Sequence, residues 1–438
     1  MANGVVEQYE KGQLNLDGTL GHLTTKEAGQ LQILWRKLLE AFASDASELK
    51  DAPAAPADTA QSTAKRSMRA QASPSPAPSG KSSNSGSWFG FGASTKTEDE
   101  SYRKTVGQVA PTGSSAPEFV AQGRARSIRD VFWAATLCDH PDVLVLRFLR
   151  ARKWKVDDAL KMLLACLRWR LDEEIDWVVW TGESALNYAL MQRGIGAMHK
   201  TDRLGQPILY IPVRQNDPSA QPQEQMVDYT VYLMEVARIM LHPPAEKVCL
   251  LLDTTDMAMA NMDWTFFKTF LHYLEHYYPE CLGLVLIYNA SWVFNSLWKL
   301  ICPLLDPVVA SKVHFAQSTA ELQKFIAPEN LSIEYGGSNS FKYQYVLPHA
   351  GENAKMADVT ARNTAMAARL AACDRLEAVT RKWAGIDSAT SSSQTLADER
   401  AAAADDLVVA SRAMDTFVRA RTLYHRNGVI SDDLTIHW

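Results

Sequence analysis

Apolar residues follow two rhythms along this chain. In LTTKEAGQLQILWRKLLEAFASDASELK (23 to 50), Leu31, Ile33, Leu34, Leu38 and Leu39 recur at helical spacing behind a capping candidate at Thr24 or Thr25, which predicts an amphipathic helix. The pattern stops at Asp51. From 51 to about 117 the chain turns to Ala, Ser, Pro, Gly and Lys, too poor in large apolar side chains to offset its own ordering entropy, and a disordered insertion is expected. Within it SWFGFG (87 to 92) stands out as an aromatic cluster. Helical spacing resumes near Ser127, and in DVLVLRFLRARKWKVDDALKMLLACLRWRLDE (142 to 173) Leu160, Leu163, Leu164, Leu167 and Leu171 form a stripe behind Asp157, the expected cap.

After Gly205 the rhythm changes. PILYIPV (207 to 213), KVCLLLD (247 to 253) and GLVLIY (283 to 288) are short apolar runs between turn residues, without strict alternation, as in strands buried on both faces. VHF (313 to 315) is a shorter candidate. Between the runs lie helical stretches at 223 to 241, 262 to 278 and 292 to 304. Strand, helix and strand in succession predict an α/β layer with a mostly parallel sheet, preceded by a helical lobe. From 350 to 438 an Ala/Ser-rich linker leads to RAAAADDLVVASRAMDTFVRARTLYHR, expected to pack back on the domain as a helix.

Within NASWVFNSLWKLICPLLDPVVASKVHF (289 to 315), a helix would align Phe294, Leu297, Trp298, Ile301 and Leu304 on one side, widened by Val293 and Leu300. Apolar over most of its circumference, such a helix belongs in a core or over an apolar cavity as a movable lid. Pro303 and Pro307 predict its end near Cys302.

Composition narrows the classes. With 47% hydrophobic and 22% charged residues in 438, a sizeable core is available, and a net charge of −5 argues against a nucleic-acid binder. No apolar run approaches the roughly 20 residues of a membrane span, and the first residues lack a basic stretch followed by an apolar one, so a cytoplasmic, soluble chain is expected. Six dispersed cysteines without a CxxC pair predict neither disulfides nor a zinc site.

Catalytic patterns are sparse. There is no P-loop and no GxSxG, and Gly194 and Gly196 are followed by Ala197, Met198 and His199 rather than by a third glycine. HYLEH (272 to 276) fits the HxxEH zinc pattern, but Phe267, Phe270, Leu271, Leu274 and Tyr278 mark the buried face of that helix, which puts His272, Glu275 and His276 towards water. A metallohydrolase is thus the weakest reading, and no metal ligands are assigned. Arg147, Arg150, Arg152 and Lys153 in RFLRARKW form a basic cluster suited either to an anionic lipid or to a helix C-terminus.

LRFLRARKWKVDDA (146 to 159), LRWR (167 to 170), YYPE (277 to 280), LGLVLIYNASWVF (282 to 294), LDPVVASKVHF (305 to 315) and ENLSIEYGG (329 to 337) resemble the CRAL-TRIO lipid-binding family, in particular its fungal phosphatidylinositol-transfer branch. The resemblance implies a helical lobe (20 to 50 and 124 to 180) on an α/β domain (185 to 340) whose sheet floors an apolar pocket closed by a gating helix. It implies a non-enzymatic, monomeric carrier with no cofactor beyond its bound phospholipid, touching membranes transiently and staying peripheral to them inside the cell. A lipid sensor that presents its ligand to a partner is the alternative. Lys153 matches a headgroup lysine of the family, whereas Cys302 and Thr269 stand where a lysine and an acid are expected. Lys299 and Arg150 are the further headgroup candidates, with Glu275 a weaker substitute for the acid. The implied pocket is lined by Tyr210, Tyr229, Leu233, Val236, Leu251 and Phe270, and the implied gate by Phe294, Leu297, Trp298, Ile301 and Leu304. Gly336 and Gly337 mark a tight turn.

Overall fold

The computed structural model describes residues 3–43, 126–137 and 139–438; the insertion expected at 51 to 117 lies outside them. The helical lobe is built from α2 (Thr25–Ala41), α3 (Ile128–Ala135), α4 (Pro141–Ala151), α5 (Val156–Asp172) and α6 (Ile175–Thr181), preceded by α1 (Asn3–Lys11) and followed by α7 (Tyr188–Arg193). Thr24 caps α2: its hydroxyl accepts the Glu27 amide at 3.3 Å and the Glu27 carboxylate accepts the Thr24 amide at 2.8 Å. Ser127 and Asp130 repeat the arrangement on α3. Asp157 is not the cap expected for α5. The helix starts one residue earlier, and Asp157 sits in its first turn, where it meets Lys37 at 2.7 Å. Leu34, Trp35 and Leu38 join Phe132, Leu146, Leu149, Leu163 and Leu167 in the lobe core, while Ile33 points outward.

Among the described residues five strands form one sheet in the order β1-β2-β3-β4-β5, with β1 Ala197–Thr201, β2 Pro207–Pro212, β3 Val248–Asp253, β4 Leu282–Tyr288 and β5 Val313–Ala316. β2 to β5 are parallel. β1 is an antiparallel edge strand that the sequence did not announce, because AMHKT is neither an apolar run nor a clean alternation. The other strands alternate: Leu209, Ile211, Leu250, Leu252, Val285 and Ile287 face one side, and Ile208, Tyr210, Cys249, Leu251, Leu284 and Leu286 the other.

The second side is sealed by α1 and by residues 322 to 335. Tyr9 donates to Asp202 at 2.5 Å and meets Phe325 edge-on at 5.0 Å. Over the first side lie α8 (Gln223–Ile239), α9 (Trp264–His276) and α10 (Trp292–Ile301). The lobe is locked to this layer by charges and rings. Glu235 of α8 accepts from Arg170 at 2.8 Å, from Arg238 at 2.9 Å and from the Tyr278 hydroxyl at 2.8 Å, while Tyr277 stacks on Trp169 at 4.2 Å. LRWR and YYPE are therefore the two halves of an interlobe joint. Cavities of about 20 and 10 Å³ adjoin this joint, each with room for roughly one water and far too small for a lipid.

Where only a linker was expected after 350, the chain forms α11 (Val359–Trp383), which pairs in a hairpin with α12 (Ser393–Val418), the late helical segment expected to pack back. Alanine-rich sequence favours helix, and Cys373, Leu376, Ala403, Ala404 and Leu407 give it a buried stripe that completes the lobe core. Arg36 of α2 donates to the carbonyl of Ala384 at the end of α11.

An apolar chamber beneath a partly exposed helix

The side of the sheet under α8 to α10 is incompletely filled. Leu209, Ile211 and Leu252 stand on strands with neighbours on both sides, yet each keeps accessible surface, whereas Ile208, Tyr210 and Leu251 on the opposite side are fully packed. The surface that these three side chains retain beneath the helices marks the candidate ligand chamber. The helical wall agrees: α9 carries Trp264, Phe266, Phe267 and Phe270, all only half-buried, and fully buries Tyr273 alone. Phe266 and Phe270 stack at 6.2 Å, and Trp264 meets Phe267 edge-on at the same separation.

Of the expected pocket residues, Tyr229, Leu233, Val236 and Phe270 belong to this layer. Tyr210 and Leu251 do not. They project to the sealed side, where Tyr210 stacks on Tyr335 at 5.5 Å and donates to the Asn330 carbonyl. Period two explains the error: Tyr210 and Leu251 pair in register and share one face of the sheet, and alternation along a strand does not say which face meets which layer. Leu209, Ile211 and Leu252 were the missed signals.

Along α10, Phe294, Leu297 and Ile301 are buried in the chamber layer and Trp298 is half-buried, stacked at 6.2 Å on Phe294 and edge-on to Phe315. Leu304, expected with them, lies beyond the helix on a 3₁₀ turn and is 52% exposed. The opposite face is mixed: Asn295, Ser296 and Lys299 are exposed there beside Trp292, 79% exposed, and Leu300, 61% exposed, with Val308 exposed beyond. The helix thus has one apolar face on protein and sets two large apolar side chains among polar ones on solvent. Ser291 caps its start, accepting the Phe294 amide.

The cations separate into bound and exposed. Arg150 is committed: it pairs with Glu246 at 3.0 Å and donates to the Gly18 carbonyl at 2.8 Å, which removes it from the headgroup candidates. Lys153 is exposed, in a left-handed turn just past α4, and Lys299 is exposed on α10. Cys302 is an exposed free thiol, and the Thr269 hydroxyl donates to its own helix at the Thr265 carbonyl. Glu275 is exposed as well.

His272 and His276 do not face water as expected. Their rings stack at 4.2 Å, half-buried against Tyr277, and burial followed by the neighbouring His276 pushes His272 down to about 4. Among the described residues no group of three His, Cys, Asp or Glu side chains is placed to hold a metal. Gly336 closes a turn at φ +80°, and at Gly337 an added Cβ would lie 1.9 Å from the Leu331 carbonyl oxygen, so both turn positions demand glycine.

The CRAL/TRIO domain signature matches residues 191–337, and that of the CRAL/TRIO N-terminal domain residues 95–165. A CRAL-TRIO domain-containing protein of Schizosaccharomyces pombe is 35% identical over 314 residues, covering 69% of this chain and 69% of its own. Phosphatidylinositol transfer protein CSR1 of Eremothecium gossypii is 32% identical over 308 residues, covering 68% and 70%. The Sec14 cytosolic factor of Schizosaccharomyces pombe is 26% identical over 213 residues, 45% of this chain and 74% of that one. With its α/β architecture and helical lobe, the chain belongs to the CRAL-TRIO family.

Proposed function

We propose that this protein encloses one phospholipid, phosphatidylinositol or a related lipid, in the layer between sheet and helices, and exchanges it between membranes by moving α10. The observation that carries the reading is the unfilled side of the sheet at Leu209, Ile211 and Leu252 beneath the phenylalanines of α9. Two acyl chains cost on the order of 20 kcal/mol to hold in water, so a carrier must cover them almost completely. The outer face of α10, with Trp292 and Leu300, suits a bilayer surface, where tryptophan is favoured. Lys153 and Lys299 are the cations left for an anionic headgroup, and Lys299 rides on the helix that moves. Among the described residues no helix is long and apolar enough to cross a membrane, and attachment is read as peripheral, transient and cytoplasmic.

No step requires catalysis. The protein acts as a monomer whose ligand takes the place of a cofactor. Solvent extraction of purified protein, with mass spectrometry of the extract and a vesicle-to-vesicle transfer assay, tests the reading. One lipid per chain and transfer that depends on α10 are expected; a lipid-free protein inert towards vesicles overturns it. Tight loading with negligible transfer would instead favour a sensor that presents its lipid.

A further inference from the structure

The segment after α12 is fastened rather than loose. A helical turn at Leu423–Arg426 is held by the buried carboxylate of Glu183, which accepts from the Leu423 amide at 2.6 Å, from the Tyr232 hydroxyl at 2.6 Å and from the Tyr345 hydroxyl at 2.7 Å, and which pairs with Arg426. Arg426 also reaches Glu352 at 3.2 Å. Beyond the turn the chain doubles back, the His437 amide donating to the Val429 carbonyl at 2.8 Å and the Ser431 amide to the Thr435 carbonyl at 3.0 Å.

This fold-back delivers Tyr424, Ile430 and Leu434, all buried, into the same apolar cluster that holds Phe294, Leu297 and Ile301 of α10. The sheet order fixes where. The Tyr424 oxygen accepts the Met198 amide at 2.8 Å, and Met198 lies on the edge strand β1, paired with Leu209, one of the half-exposed chamber residues. β1 borders only β2, so its outer edge needs a cover, and the C-terminal segment supplies it. α10 leads into β5, at the far edge of the sheet.

We infer that residues 423 to 438 form the end wall of the chamber at the β1 edge, opposite the gate, and set the length of the acyl chain it accepts. The inference rests on the lipid-binding reading above. A closed chamber with a fixed end discriminates chain length, because each methylene left without room or without contact changes affinity by about fourfold. Ile430 is the residue best placed to set the depth: it is buried in the cluster and lies on the fold-back itself.

The test uses the full chain and its Ile430→Ala, Ile430→Phe and Ile436→Ala variants, each incubated with vesicles containing equal amounts of phosphatidylinositol and phosphatidylcholine species of 12 to 20 carbons per chain. Native mass spectrometry reads the chain lengths bound. Truncation at either position should shift the distribution by one or two carbons towards longer chains, and Ile430→Phe should shift it towards shorter ones. Leu300→Ala on the outer face of α10 should slow loading without moving the distribution. Ile436 lies at the margin of the cluster, so its truncation keeps the test alive should a change at Ile430 impair folding. Lipid bound with the same length distribution in every folded variant overturns the end wall and leaves lipid binding intact. A wild-type protein that takes up neither lipid overturns the lipid-binding reading, and the end wall with it.

Discussion

Arg400 grips Asp142 with both terminal guanidinium nitrogens, Nη1 and Nη2, at 2.6 and 2.7 Å, across 258 positions of the chain. Trp35 donates to the same carboxylate at 2.6 Å, and the guanidinium lies between Trp35 and Trp383, 5.1 and 4.5 Å from their ring centres. The C-terminal hairpin is therefore part of the lobe core. Burial works against the Asp142 charge, but Arg400 more than offsets it and holds the carboxyl below its ordinary range. Arg400→Ala would strand a buried carboxylate and should cost about 3–5 kcal/mol, read by urea unfolding at neutral pH. Unfolding within 1 kcal/mol of wild type would show the pair to be dispensable.

The two faces of α10 should separate function from stability. Trp292→Ala and Leu300→Ala remove exposed side chains, so stability should stay within about 0.5 kcal/mol while vesicle binding falls roughly tenfold or more for each. Leu297→Asp is a poorer probe of docking, because Leu297 is only 2% exposed and its replacement buries a charge in the chamber layer. Co-sedimentation with vesicles and a thermal melt of each variant distinguish the cases.

Bulk placed in the chamber should displace ligand rather than unfold the protein. Ile211→Phe and Leu252→Phe are expected to lower the lipid recovered per chain several-fold with a stability change below about 1.5 kcal/mol. Leu251→Phe, one position away but on the packed side, should instead cost about 1–3 kcal/mol and leave lipid content unchanged. Equal behaviour of Leu251 and Leu252 variants would refute the unfilled face.

Acid should loosen the C-terminal fastening. The Thr422 amide donates to His425 Nδ1 at 3.2 Å, and burial, with Arg421, Arg419 and Arg426 around the ring, pushes His425 down to about 2. A histidine whose folded pKa is depressed contributes nothing above about 6.5 and destabilises as pH falls towards the folded value, since the unfolded chain takes up the proton first. Between pH 7.5 and 5.5 this amounts to about 1.4 kcal/mol, which His425→Asn should abolish. Asp202 opposes it: burial raises its carboxyl to about 6, so acidification through that range favours the folded state. The measurement is accordingly the difference in pH dependence between variant and wild type.

Gly337→Ala should be among the costlier single changes, on the order of 3 kcal/mol by thermal or urea unfolding, because the new methyl meets backbone rather than a yielding side chain. A neutral effect would mean that the turn can shift by more than an ångström.

Much of the fold was legible because local chemistry and burial agree there. Four of the five strands, VHF as a shorter candidate among them, and the helices of the gate side announced themselves as apolar runs and 3.6-residue stripes, and motifs such as YYPE and LRWR could be recognised before their contact across the lobes was known. What stayed illegible depends on partners distant in sequence. β1 is a strand because Leu209 and Tyr210 offer it a ladder, α1 is anchored through Tyr9 by Asp202, and Ile33 is exposed although its neighbours are buried.

By itself, the sequence determined the type of most elements, the α/β class and an apolar helix beginning at 292 and ending near Cys302, since these follow from periodicity, capping and turn residues acting over a few positions. Only the tertiary structure decided which strand face opens into the chamber, which face of α10 meets solvent, that Arg150 is spent on Glu246, and that the C-terminal segment closes the β1 edge. A strand fixes that its side chains alternate but not which set faces which layer, and an arginine's charge does not name its acid. Those choices are made by packing between segments distant in sequence.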